Sequence, residues 1–303
     1  MKNSTSILLT GLLATGCASL PAMKGNPWDR DVNYVIEEGK ETEPFEGKSD
    51  FTVAIIPDKH SSYGCQASTY LTLEKLVLSG DVKFVAREGK VGPTEHESDA
   101  FQTKKYFDRN LQIQYYKDLI DLPLEQRQQQ ARSRVLNHNF PSQYWHNFFF
   151  DKPSRNWEEV MPMMASFLLE SVYLNQVRTI GVENQKALDD AKTALYNASG
   201  PLYEAQHLNP PDKKKAEEAE KTFRAVENEH IRIRDGHMVI NIQEYAGKIK
   251  EGHLIPLHVG NLHTQDLMQR FRDKMISYKV IEHAACMEAP TCTLTIQKED
   301  IYQ

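Results

Sequence analysis

The chain lacks several things that would place it quickly. It has four cysteines in 303 residues, and no two of them stand in Cys-x-x-Cys spacing, which argues against a zinc–thiolate site. It has no excess of basic residues: 36 Lys and Arg against 42 Asp and Glu give a formal net charge of -6. That balance argues against nucleic acid as a partner. Long apolar runs are also missing. The one apolar stretch of note, Ile7–Leu13, is too short to span a bilayer as an anchor.

What that stretch does have is a positive start at Lys2 and, after it, the sequence Leu13-Ala14-Thr15-Gly16-Cys17. Small residues directly before a cysteine, behind a signal-type apolar core, resemble the lipobox of bacterial lipoproteins, with Ala14 in the place of the usual leucine. The resemblance implies a signal peptide over residues 1–16, cleavage before Cys17 and lipidation of its sulfur. The alternative is an ordinary secretory signal cut near Ala18 or Ala22. Acyl chains on Cys17 hold a protein at a membrane without a spanning helix, so the expected location is the cell envelope, facing the periplasm. Removing residues 1–16, which carry Lys2 and no acid, takes the net charge from -6 to -7. Residues 17–50 are polar, with Pro, Gly and Glu, and read as lipid attachment and tether. Export permits disulfides. Cys286 and Cys292 flank the turn-like "MEAPT" and are expected to bridge a hairpin, with Cys65 left as a lone thiol.

From residue 51 onward the chain alternates. "FTVAIIP" (51–57) is a β-type run that ends at Asp58-Lys59-His60. "CQASTYLTLEKLVLSG" has helical spacing and closes on Gly80. "VKFVAREG" is a second strand, and "VRTIGVE" (177–183) a third. Between them, residues 94–176 carry helical patterns and an aromatic segment around Trp145 and Phe148–Phe150, which reads as a helical insertion or cap. A long charged helical region leads to strand "LIPLHV", helix "TQDLMQRFRDKM" and two late β-type runs, "YKVIEHA" and "CTLTIQ". Strands separated by helices predict an α/β fold: a mostly parallel sheet with flanking helices, a single domain over 51–303 with the helical insertion.

Four strands end in the same manner, with a polar residue of catalytic type: His60, Glu88, Glu183 and His263. In a parallel sheet these ends lie along one edge, where α/β proteins bind ligands. Two imidazoles and two carboxylates suit a divalent metal such as Zn, Mn or Fe. They equally suit metal-free chemistry, with a histidine as general base and a carboxylate orienting it. Arg234, in the helix before the last of these strands, is placed to steady an oxyanion or a substrate carboxylate. Gly260 is expected to permit a tight turn, Thr264 to cap the following helix, and His258, inside its strand, to carry no role.

The order of motifs resembles the superfamily that includes TraB and PrgY pheromone-shutdown proteins, TIKI proteases, erythromycin esterase and ChaN haem-binding lipoproteins. Its pattern is two Gly-x-x-His motifs, a glutamate after the second strand and an arginine before the second histidine motif. Here Gly260-Asn261-Leu262-His263 is the second motif, and Pro57-Asp58-Lys59-His60 stands at the first with proline in place of glycine. Arg87-Glu88-Gly89, the Glu183 strand end and Arg234-Asp235-x-x-Met238 fill the other positions. The resemblance covers about residues 51–285. It implies a split α/β core with a helical subdomain, and its members include metal-dependent proteases, an esterase and a haem binder. With the four like-placed strand ends, the leading expectation is a membrane-tethered hydrolase of peptide, amide or ester bonds, metal-dependent, with His60, Glu88, Glu183, Arg234 and His263 catalytic and the two histidines and two glutamates as ligands. Its substrate would be a small molecule or a peptide. The alternatives it leaves are a haem- or iron-binding lipoprotein without catalysis, with Tyr63 as axial ligand, and a degenerate interaction or immunity protein.

Overall fold

In a computed structural model, the structure describes residues 36–58, 63–80, 82–89, 91–93, 119, 121–136, 164–173, 176–207, 212–248 and 253–287. Cys17, His60, the aromatic segment around Trp145, Cys292 and the run "CTLTIQ" lie outside the described residues, as does the side chain of Tyr63.

The fold is α/β. In chain order the strands are β1 (Lys40–Phe45), β2 (Thr52–Asp58), β3 (Phe84–Arg87), β4 (Val91–Pro93), β5 (Arg178–Val182), β6 (Leu254–Gly260) and β7 (Ser277–Glu282). The described helices are α1 (Tyr63–Leu78), α2 (Leu124–Leu136), α3 (Met164–Tyr173), α4 (Gln185–Gln206), α5 (Lys213–Lys248), α6 (Thr264–Asp273) and α7 (Ala284–Met287). The strands form one seven-stranded sheet in the order β1-β7-β2-β6-β3-β5-β4. The inner pairings are parallel, and the edge strands β1 and β4 are antiparallel to β7 and β5.

β2 and β6 are buried on both faces from their second residue on, as central parallel strands are when helices cover both sides. Alternate residues then part company. Ala54, Ile56 and Val85 pack under α1, α2 and α3 with Tyr70, Leu73, Leu168 and Leu169. Val53, Ile55, Ala86, Val182 and Leu257 pack on the other face against Met238 and Ile242 of α5 and Leu267 and Phe271 of α6. The outer part of the α4–α5 hairpin has its own small core of Ala191, Leu195, Leu202 and Phe223.

The expected extent of the tether differs from the fold. The segment read as a tether contains β1, which pairs with β7 from Lys40↔Glu282 to Phe45↔Tyr278. Its sequence KETEPF looks polar because an edge strand buries little. The segment read as a cap contributes α2 and α3, and these lie in the layer that covers the sheet. No helix among the described residues is long and apolar enough to cross a membrane.

The topology fixes where a site belongs. β2 and β6 are neighbours, paired from Thr52↔Leu254 to Asp58↔Gly260. After β2 the chain enters α1 over one face, and after β6 it enters α6 over the other. Connections that leave adjacent strands toward opposite faces open a crevice at their carboxyl ends, the switch point of an open α/β sheet.

Candidate active site

Glu88 follows β3, Glu183 follows β5, and His263 closes the 3₁₀ turn Asn261–His263 that joins β6 to α6. Arg234 and Asp235 project from the middle of α5, where both are buried. The structure brings these five side chains together on the α5–α6 face of the sheet edge. Nη2 of Arg234 donates to Oε1 of Glu88 at 2.6 Å and also to Oε1 of Glu183, while its Nε donates to Glu183 at 3.1 and 3.3 Å. Nε2 of His263 lies 3.1 Å from Oε1 of Glu88, and Nδ1 of His263 bonds Oδ1 of Asp235. The backbone N–H of Gly260 donates to the other oxygen of Glu88 at 2.7 Å. The result is a chain of alternating charge: Glu183, Arg234, Glu88, His263, Asp235.

Both ring nitrogens of His263 face carboxylate oxygens, which only accept when ionised, so the ring that satisfies both is the imidazolium. Burial alone would depress its pKa, but the Glu88 and Asp235 carboxylates outweigh burial and raise it from 6.5 to about 10. Burial lifts Asp235 from 3.8 to about 6, although the His263 cation pulls the other way. Burial likewise opposes the charge on Arg234, and the Glu183 and Glu88 carboxylates override it and hold the guanidinium firmly protonated. At neutral pH two buried cations therefore sit between three carboxyl groups. Glu88, at 8 % exposure, is the most open of the five, against 0–3 % for the others.

The predicted metal ligands can be judged on this geometry. The Arg234 guanidinium fills the place between Glu88 and Glu183, and both nitrogens of His263 already face carboxylate oxygens. A divalent ion bound by Glu88, Glu183 and His263 would have to displace a buried cation from each carboxylate. The described donors do not suit a metal. His60, the remaining predicted ligand, lies outside the described residues.

Two details of the second histidine motif differ from expectation. Gly260 has φ -60 and ψ 146, a backbone open to most residues, so its contribution is the N–H given to Glu88. Thr264 does not cap α6: the cap position falls on His263 without a side-chain hydrogen bond, and Oγ1 of Thr264 is buried without a hydrogen-bond partner.

A second polar network lies on the other face of the same edge, and sequence reasoning missed it. His258 places Nε2 2.9 Å from Oδ2 of Asp58 and Nδ1 2.6 Å from Oγ of Ser166 in α3. Nε2 of Gln66 donates to the same Asp58 oxygen at 2.5 Å, and Oε1 of Gln66 accepts from the backbone of Ala165 at 3.1 Å. The connectivity is that of a serine–histidine–acid relay. All three members are at most 1 % exposed, which makes it a satisfied core network rather than a nucleophile's site. The available signal was His258 itself, a lone polar residue in an apolar strand, which needs buried partners. Next to it Cys65 in α1 is disulfide-bonded to Cys286 in α7, with Cα atoms 4.8 Å apart. This corrects the expected Cys286–Cys292 bridge and the lone Cys65. Adjacency of β7 to β2 brings the two sulfurs together, whereas sequence proximity favoured the wrong partner. His283, whose Nδ1 lies 3.7 Å from Sγ of Cys286, has a pKa lowered to about 4 by burial, which the Asp58 carboxylate offsets only in part.

The chain matches no family model, and no curated protein and no solved structure matches it.

Proposed function

We propose that the chain is a hydrolase of peptide, amide or ester bonds, tethered to a membrane through a lipidated Cys17, with a metal-free centre built on Glu88, Arg234 and His263. The observation that supports this is the position of Glu88 Oε1, within 2.6 Å of one buried cation and 3.1 Å of another. Two convergent cationic donors around one oxygen are what a developing oxyanion requires.

In the proposed reaction the substrate carbonyl oxygen takes the place of Glu88 Oε1 between Arg234 and His263. Glu88 remains held through its other oxygen by the Gly260 N–H. Once it has lost two cationic partners it becomes a stronger base, because neighbouring positive charge is what lowers a carboxyl pKa. It then takes a proton from water as the hydroxide adds to the carbonyl carbon. The negative charge gathers on the oxygen that faces Arg234 and His263. Collapse of the tetrahedral adduct breaks the bond to the leaving group, which takes the proton from Glu88. Asp235 fixes the His263 ring through Nδ1, and Glu183 fixes the Arg234 guanidinium.

The test is a panel of peptide, amide and ester substrates with the purified chain, its His263→Ala variant and a chelator. Turnover that survives chelation and is lost in His263→Ala supports the reading. Turnover unchanged by His263→Ala removes it. The haem-binding alternative rested on Tyr63 and the aromatic segment, whose side chains lie outside the described residues, so no geometry supports it here.

A further inference from the structure

The disulfide sits in surroundings that a purely structural staple does not need. Sγ of Cys65 is 3.2 Å from Oδ1 of Asp58, and Sγ of Cys286 is 3.7 Å from Nδ1 of His283. All four side chains are at most 2 % exposed. The ligand atoms of Asp58, Cys65 and Cys286 lie within 4.8 Å of one another. A carboxylate oxygen gains nothing from a disulfide sulfur, which has no proton to give. Beside a metal-bound thiolate the same arrangement is ordinary.

The outer contacts are of the kind that orient ligands. Gln66 and His258 donate to Oδ2 of Asp58 and turn Oδ1 toward Cys65. Oγ1 of Thr72 lies 2.9 Å from Nε2 of His283, and the tautomer with its proton on Nε2 presents the Nδ1 lone pair to Cys286. A histidine ligand anchored through its other nitrogen and a carboxylate ligand anchored through its other oxygen are the usual second layer of a metal site.

We propose that reduction of Cys65–Cys286 converts this position into a tetrahedral site for a zinc-type divalent ion, with Sγ of Cys65, Sγ of Cys286 and Oδ1 of Asp58 as the clustered ligands and Nδ1 of His283, which contacts Cys286 but stands outside that cluster, brought in by side-chain rotation as the fourth. The disulfide takes two electrons and two protons from a dithiol, which becomes a disulfide in turn. The incoming ion then displaces the two thiol protons. With zinc–sulfur bonds of about 2.3 Å, tetrahedral geometry sets the sulfurs roughly 3.8 Å apart. Side-chain rotation about two closely spaced Cα atoms supplies that separation. The ion and the disulfide exclude each other, so the compartment's thiol poise selects the state. The site lies on the opposite face from Glu88 and His263 and is independent of the hydrolase reading.

The test uses the full chain carrying Cys17→Ser and Cys292→Ser, which leaves Cys65 and Cys286 as its cysteines. The chain is reduced with a phosphine, freed of reductant without air and titrated with Co²⁺. The expected result is uptake of one ion per chain with a thiolate-to-cobalt charge-transfer band and the strong visible bands of tetrahedral cobalt. Zn²⁺ should bleach both, and the oxidised chain should show neither. Adding Cys286→Ser should abolish the charge-transfer band, and Asp58→Asn and His283→Ala should each weaken uptake by at least about tenfold. Zn²⁺ should also raise the melting temperature of the reduced chain and leave that of the oxidised chain unchanged. The proposal is overturned by a reduced, folded chain that shows no band. It is equally overturned by a band that survives Cys286→Ser, or by a reduced chain that unfolds and is not restored by Zn²⁺.

Discussion

Nε2 of His263 and Oε1 of Glu88 stand 3.1 Å apart across 175 residues of chain. That contact joins the turn after β6 to the end of β3, and it makes the protonation of one residue depend on the other. Replacing Glu88 by Gln keeps the shape and removes the charge that contributes most to raising His263. The His263 pKa should fall from about 10 toward its ordinary value. An NMR titration of the imidazole signals reads this directly, whatever reaction the protein performs. If the cluster is a hydrolytic centre, Glu88→Gln should also cost about 10²–10³-fold in kcat, the scale of losing one key group of such a centre.

Arg234 is the second hinge of the cluster. It neutralises Glu88 and Glu183 together, and its side chain is almost wholly buried. Arg234→Met removes the cation that two buried carboxylates share, and breaking a buried pair in this way costs about 3–5 kcal/mol. Urea unfolding should show the loss as a lower midpoint. Arg234→Lys should not restore the wild-type midpoint, because an ammonium cannot reproduce the fork that reaches both glutamates.

The same charges set a pH dependence. His263 titrates near 6.5 when unfolded and near 10 in the fold. A raised histidine pKa stabilises the fold in full below the unfolded value, and that contribution is lost as pH climbs through the folded value. The stability gap between wild type and His263→Phe should therefore narrow between pH 6.5 and 10, by an amount on the order of a few kcal/mol at about 1.4 kcal/mol per pKa unit. Urea midpoints of both chains across that range measure it. A gap that stays constant would contradict the imidazolium assignment.

Much of this centre was legible because local pattern and global topology agree. β2, β3, β5, β6 and β7 are short apolar runs, and parallel pairing then gathers Glu88, Glu183 and His263 at one edge. Arg234 was legible by its place in the helix before β6. Asp235 stands in the same motif, but its role depends on which way α5 faces. β1 and β4 were not legible, since an exposed edge strand and a three-residue strand carry little apolar signal. β4 also depends on the turn at Gly89, whose φ is 77. The Cys65–Cys286 pairing spans 221 residues, and only the adjacency of β7 and β2 reveals it. Asp58, Ser166 and His258 come from three separate elements, and no spacing rule connects them.

That last trio supplies the contrast between the two faces of the sheet edge. Ser166→Ala removes the hydroxyl that pairs with Nδ1 of His258 at 2.6 Å and takes that hydrogen bond from a buried ring nitrogen. Losing a buried hydrogen bond of this kind costs about 1 kcal/mol. His258→Phe should cost more, because it also strips Oδ2 of Asp58 of one of its donors. The His258 carbonyl accepts from the Glu88 backbone N–H at 3.0 Å, a bond that Ser166→Ala leaves in place, so the His263 titration should be unmoved by Ser166→Ala while the urea midpoint falls. If Ser166 were instead a nucleophile, its alanine variant would lose turnover by several orders of magnitude with little change in the midpoint. Measuring midpoint, His263 pKa and turnover on this one variant separates a core network from a second reactive centre.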